Sequence, residues 1–197
     1  FIKQKKTMFS RQEIKHKYGH VGSYAIWQRI NDSQKAKFGM GDISHFDNID
    51  ELKINNNIVL VGLNLSGKGS IDNPFQNFHS SNPFAHDYKI RYATQDTIFS
   101  GAYMTDIIKD YEEVISGKVM KYVKSNPNFK KKNIELFETE LKNIGAVNPI
   151  IIAFGNSSFE ILNELSHKYK IYKVPHYSSC VRKEALKERF NEIAKVM

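Results

Sequence analysis

The sequence predicts an α/β domain: a central, mostly parallel sheet of about four strands with helices on both faces. Three observations predict it. Short apolar runs at 58–62, 102–108, 149–154 and 170–174 read as strands, with helical spacing between the later ones. The first and last of these runs pass straight into polar turns, as strands do at the ligand-binding edge of an open α/β sheet. And 197 residues, 41% of them hydrophobic and 25% charged, suit one globular domain with a sizeable core.

The elements follow in order. Residues 1–20 are basic and weakly periodic, and read as an arm or irregular start. Ser23 is placed to cap a helix over Tyr24–Ile30, with Trp27 packing it onto the core. Residues 31–56 have turn composition, with one helical turn at Asp50–Lys53. After the strand at 58–62 comes a long aperiodic segment, 62–87, containing Pro74, Phe75, Phe78, His79, Pro83 and Phe84. A loop of this length is functional or disordered, and its aromatic content argues for function. Residues 88–100 form a helix leading into the strand Ala102–Ile108, whose polar end is Thr105-Asp106. A helix is expected around 110–123, and a basic loop over 118–132 broken at Asn126-Pro127. Ile134, Phe137, Leu141 and Ile144 lie on one helical face that ends at Gly145. The unbroken apolar run Ile150–Phe154 is the candidate central strand. Gly155–Ser158 turns into a further helix, Lys170–Val174 is the last strand, and Leu186, Phe190, Ile193 and Ala194 mark a closing amphipathic helix.

Composition narrows the function classes. The formal charge is +8 and the pI about 9.4, which favours polyanions through phosphate contacts and counterion release. The single cysteine, Cys180, cannot form an internal disulfide or supply an iron–sulfur or cysteine–zinc site, so a reducing, cytoplasmic setting is expected. No apolar run is long enough to span a membrane, and no apolar segment follows the basic residues of Phe1–Lys6, so neither a membrane partner nor a secretory signal is expected.

Two turns that follow strands carry the chemistry: Gly62-Leu63-Asn64-Leu65-Ser66 and Pro175-His176-Tyr177-Ser178-Ser179. In a parallel sheet they share one edge, where Asn64 and His176 could face each other across a pocket. An amide can position a water, and a histidine can donate a hydrogen bond to charge developing on a leaving group. Glycine amides and serine hydroxyls suit phosphate contacts. The plainer alternatives are that Asn64 and Ser66 cap the next element and that His176 is an ordinary surface histidine. Gly62-x-x-x-x-Gly67-Lys68 also fits the start of a Walker A loop, but Gly69 stands where Ser or Thr should hold magnesium, with Ser70 one place late, and no helix signal follows.

Taken together, the motifs resemble those of the uracil-DNA glycosylase superfamily, closest in form to its mismatch-specific uracil/thymine branch. Gly62-Leu-Asn-Leu-Ser66 resembles a first motif of the form G-[IL]-N-P-[SG], and Pro83-Phe-Ala-His86 matches the branch's P-F-A-H. His176-Tyr-Ser178 resembles H-P-S, and Met104–Lys109 resembles a segment of the form T-N-x-V-K. The resemblance covers roughly residues 55–190 and implies a glycosylase that works without metal or cofactor as a monomer, flipping a damaged or mismatched base out of DNA and hydrolysing its N-glycosidic bond. On that reading Asn64 orients the attacking water, and His176 stabilises the departing base. Phe84 stacks on the extruded base within a pocket that Gly62 and Leu63 help to form, and Ser66, Ser178 and Ser179 contact phosphates.

Three residues depart from the pattern. Leu65 and Tyr177 replace prolines that would fix the turns. Asp106 stands where the related branch has an asparagine that reads the base edge, and a carboxylate accepts but does not donate. Asp106 would repel the O4 carbonyl of uracil and favour a base presenting N–H groups. These departures favour the rival reading, a non-catalytic nucleic-acid- or protein-binding relative on the same fold; a P-loop nucleotide binder is the third.

Overall fold

A computed structural model describes residues 8–31, 33–66 and 71–197. A five-stranded sheet has the order β1-β3-β2-β4-β5. Its strands are β1 (Ser23–Tyr24), β2 (Asn55–Asn64), β3 (Ala102–Ile108), β4 (Ile150–Phe154) and β5 (Ile171–Val174). β2, β3, β4 and β5 are parallel, and β1 adds an antiparallel edge to β3. The α/β class and the four parallel strands agree with the sequence reading; the short edge strand is additional.

Alternating residues of the strands feed two cores, one on each face. Val59, Val61, Tyr103, Ile107 and Ile151 pack with Phe137 and Leu141 of α4 (Pro127–Asn143) and Ile161 and Leu162 of α5 (Gly155–Leu162). Leu60, Met104, Ile152, Phe154 and Val174 face the other way, onto Ile90 of α2 (Tyr88–Thr94) and Leu186 and Phe190 of α6 (Lys183–Val196). One buried polar cluster lies on the first of these faces. Glu140 on α4 accepts from the Tyr103 hydroxyl (2.7 Å) and the Thr105 hydroxyl (2.8 Å) and forms an ion pair with Lys109 at 2.6 Å.

Four expectations are corrected. The segment after Ser23 is not helical. Ala25 N–H donates to the Ala102 carbonyl and Gly101 N–H to that of Ala25, so pairing with the start of β3 draws it out as an edge. The buried Arg91 guanidinium then holds the following loop by donating to the carbonyls of Gln28, Ala36 and Phe38. The supposed irregular start contains α1 (Arg11–Tyr18), nucleated by a capping box in which Ser10 and Glu13 satisfy each other's backbone N–H. The basic stretch 118–132 is not a loop, because α3 (Ser116–Ser125) runs into α4. Asn126-Pro127 does break the chain, but Pro127 opens the next helix, where its missing N–H is harmless. The turn at Asp50–Lys53 is the end of a 3-10 segment, Ser44–Glu51.

Candidate active site

Among the parallel strands the sheet grows outward in opposite directions from β2 and β4. The crevice beyond their carboxyl ends is therefore the topological switch point, where open α/β sheets bind ligands. Asn64 ends β2, Asp106 lies near the end of β3, and His176 follows β5 by two residues.

Register puts Asp106 beside Gly62 and Ile108 beside Asn64. Asp106 and Asn64 are thus diagonal neighbours on the α2/α6 face. The absence of a side chain at Gly62 is what admits Asp106: a Cβ there would overlap Asp106 Oδ1. The carboxylate is 6% exposed. Asn77 fixes it, with Nδ2 donating to Asp106 Oδ2 at 3.2 Å and to the Val21 carbonyl at 2.8 Å, while Asn77 Oδ1 accepts the Phe78 N–H at 3.1 Å. Burial pushes the Asp106 carboxyl up to about 6, against the opposing pull of Lys109 and the Asn77 bond.

Aromatic rings wall this corner. Phe78, buried and in a left-handed conformation, comes within 3.8 Å of where a Gly62 Cβ would stand. Its ring meets Tyr177 edge-on at 6.3 Å, and Tyr177 in turn packs on Phe154 at 5.2 Å and stacks on His176 at 4.5 Å. Burial, with the charges of Asp87 and Asp106, holds the Tyr177 phenol well above its ordinary value and hence neutral. Asn64, Asn77, His176 and Tyr177 are half-buried rim, and Gly62, Phe78, Asp106 and Phe154 are buried floor.

His176 is held in one protonation form. Ser178 N–H donates to its Nδ1 at 3.2 Å, and the Ser178 hydroxyl lies 2.8 Å from the same nitrogen. Burial lowers the ring to about 4. At neutral pH the imidazole is uncharged and, with Nδ1 accepting, carries its proton on Nε2 as a donor. Gly155, at φ +83°, gives the ring room: a Cβ there would stand 3.2 Å from His176 Cβ.

Other sequence-predicted residues are placed differently. Asn64 Nδ2 is occupied, donating to the carbonyls of Leu65 (3.0 Å), Tyr111 (3.0 Å) and Glu113 (2.9 Å), so the residue clamps the loop after β3 as well as ending β2. Phe84 is neither core nor pocket wall; it is 84% exposed on the loop before α2. Leu63 is buried in the opposite core. Ser66 is exposed. The Ser179 hydroxyl folds back onto the His176 carbonyl at 2.6 Å, so it and Ser178 build the turn around the imidazole. Gly67, Lys68, Gly69 and Ser70 of the Walker-like stretch lie outside the described residues, and no α-helix is present between Ile71 and Asp87.

Sequence reasoning missed Asn77, the anchor of Asp106, and Lys89. The latter is buried and donates to the carbonyls of Ser179 (3.0 Å) and Val181 (2.8 Å), tying α2 to the turn after β5. Only the loop's turn-rich composition hinted at Asn77, and nothing local hinted at Lys89. A cleft of about 620 Å³ is lined by His176 itself together with Gly155, Lys173, Ser179, Arg189 and Glu192 among others. It contains neither Asn64 nor Asp106. Among the described residues no group of three or more His, Cys, Asp or Glu is disposed to hold a metal ion, and no helix is long and apolar enough to cross a membrane. No protein-family model matches the chain, and no curated protein sequence matches it.

Proposed function

We propose that this chain is a DNA glycosylase on a uracil-DNA glycosylase-like fold, hydrolysing the N-glycosidic bond of an extruded base. The observation that carries the reading is His176, a neutral imidazole held by Ser178 with Nε2–H as donor, two residues past the end of β5 at the sheet edge where Asn64 ends β2. In the proposed reaction the C1′–N bond breaks and its electron pair leaves with the base. The Nε2–H bonds to the base oxygen on which that charge gathers, and a water held by the Asn64 amide oxygen adds to C1′, losing its proton to solvent. A preorganised neutral donor suits this step, because it stabilises developing negative charge without first giving up a proton. The +8 charge supports a DNA partner, since phosphate neutralisation supplies affinity that falls with salt. Flipping requires unstacking of a few kcal/mol, which those contacts offset.

The test is release of a base from oligonucleotides carrying uracil, mismatched thymine, hypoxanthine or alkylated and modified bases, in single and double strands, read as alkali-labile abasic sites. Activity lost in His176→Asn supports the reading; silence across the panel refutes it. A second reading, a non-catalytic DNA-binding relative, draws on the occupied Nδ2 of Asn64 and the exposed Phe84. It predicts salt-sensitive DNA binding with no base release.

A further inference from the structure

We infer that Lys89 of α2 is a positioning residue for His176: its ammonium holds the turn after β5 in the shape that fixes the imidazole and the ring nitrogen that carries its proton. The inference rests on the proposed function only in taking His176 as the working group of the site.

The placement of Lys89 is costly, and the cost has a use. Lys89 is the second residue of α2 and is 5% exposed. A lysine is rarely buried so far, because the ammonium loses its hydration. Among the described residues it pairs with no carboxylate. It donates instead to the backbone carbonyls of Ser179 at 3.0 Å and Val181 at 2.8 Å. An aliphatic side chain of similar length would fill the same space without the desolvation. What the charge adds is a hold on the chain at two points, 90 and 92 residues away in sequence.

Those two points straddle Cys180, at the end of the turn that wraps the imidazole. Residues 175–182 belong to no helix or strand, so no ladder of hydrogen bonds fixes them. The start of the turn is held by ring contacts of His176 and Tyr177 with Phe154. Lys89 holds its end. Between them the bonds pass hand to hand. Ser179, whose carbonyl Lys89 binds, donates its N–H at 3.0 Å and its hydroxyl at 2.6 Å to the His176 carbonyl. Ser178, one residue before, gives its N–H to His176 Nδ1 at 3.2 Å. That last bond makes Nδ1 an acceptor and leaves the proton on Nε2. Without the ammonium the end of the turn is free to move, and Nδ1 loses the donor that fixes the tautomer.

The test compares wild type with Lys89→Met, which keeps the aliphatic stem and removes the charge, and with Lys89→Arg, which restores a cation able to reach both carbonyls. Nitrogen-15 NMR of the histidine rings in the whole chain, with His176 assigned by its loss in His176→Asn, reads which ring nitrogen is protonated and the pH at which the ring charges. In wild type a single Nε2–H form should persist down to about pH 4. Lys89→Met should give a mixture of the two neutral forms and a ring that charges at least about one pH unit higher, toward the ordinary value of about 6.5. Lys89→Arg should return the wild-type pattern. The charged groups that share the His176 cleft, Lys173 on β5 and Glu188, Arg189 and Glu192 on α6, are the same in all three proteins, and α5 brings only the uncharged Gly155 and Asn156. A Lys89→Met protein that is less stable but keeps the tautomer and titration of His176 overturns the inference, since Lys89 would then only brace the fold. A mixed tautomer in wild type overturns it without any variant. If Lys89→Met does not fold, Lys89→Gln takes its place, with a polar end too short to reach the carbonyls. None of these readouts needs base release. Silence across the oligonucleotide panel would refute the glycosylase reading and leave this inference standing, and an unmoved imidazole in an active enzyme would do the reverse.

Discussion

Replacing Asp106 with Asn should change how stability depends on pH, and by an amount that follows from the burial. The carboxyl titrates at 3.8 in an ordinary setting and at about 6 in the fold. Between these values the native state binds more protons than the unfolded chain, so stability falls as pH rises through this window and is level above it. At about 1.4 kcal/mol per pH unit, the ionised carboxylate lowers native stability by about 3 kcal/mol at neutral pH relative to acid. Asn keeps the shape and the Asn77 bond but carries no charge. Urea unfolding of both proteins from about pH 3 to about pH 8 should therefore give a difference curve that starts nearly level in acid, climbs by about 3 kcal/mol in favour of the variant, and levels off again above about pH 7. The absolute offset depends on how the new NH₂ is satisfied, but the climb depends on the titration alone. A difference curve that stays flat across the whole range would mean that Asp106 is not held protonated by burial, and the description of the floor would be wrong.

Other outcomes follow from the same geometry. Asn64→Ala, which strips donors from the carbonyls of Leu65, Tyr111 and Glu113, should lower stability by about 1–3 kcal/mol in denaturant melts, besides any loss of turnover; unchanged stability would contradict the clamp. Because burial keeps His176 neutral down to about 4, base release should show no histidine inflection between about pH 5 and 8. An inflection near the ordinary histidine value that vanishes in His176→Asn would contradict that. Phe84→Ala should leave stability within about 0.5 kcal/mol of wild type, since the ring is exposed. A larger loss in a thermal melt would show that the ring packs in solution, and a drop in DNA affinity at constant stability would place it at the DNA surface.

The four parallel strands were legible as short runs richer in apolar residues than their flanks, and for β2, β3 and β4 burial on both faces requires such runs. α4 and α6 were legible from helical spacing, although α4 begins seven residues before the first residue of the pattern, Ile134. The capping box at Ser10 and Glu13 is equally local, but the basic composition of the first 20 residues masks it. The segment after Ser23 was not open to local reading. Its side chains favour a helix as readily as a strand, and pairing with the start of β3, remote in sequence, decided between them.

For the candidate site, the sequence by itself determined which residues lie at or near the carboxyl ends of the strands: Asn64, Asp106 and the turn at His176. Strand ends and turn residues are local properties, and parallel strands put their ends on one edge. Tertiary structure alone decided what those residues meet. That Gly62 makes room for Asp106 depends on the register of β2 against β3. That Asn77 anchors the carboxylate depends on how an aperiodic loop folds back across the sheet. Phe84 and Phe78 sit six residues apart in that loop with similar surroundings in sequence, yet one is buried against Gly62 and the other stands in solvent. No periodicity separates them, because a loop's side chains point wherever its long-range hydrogen bonds turn the backbone.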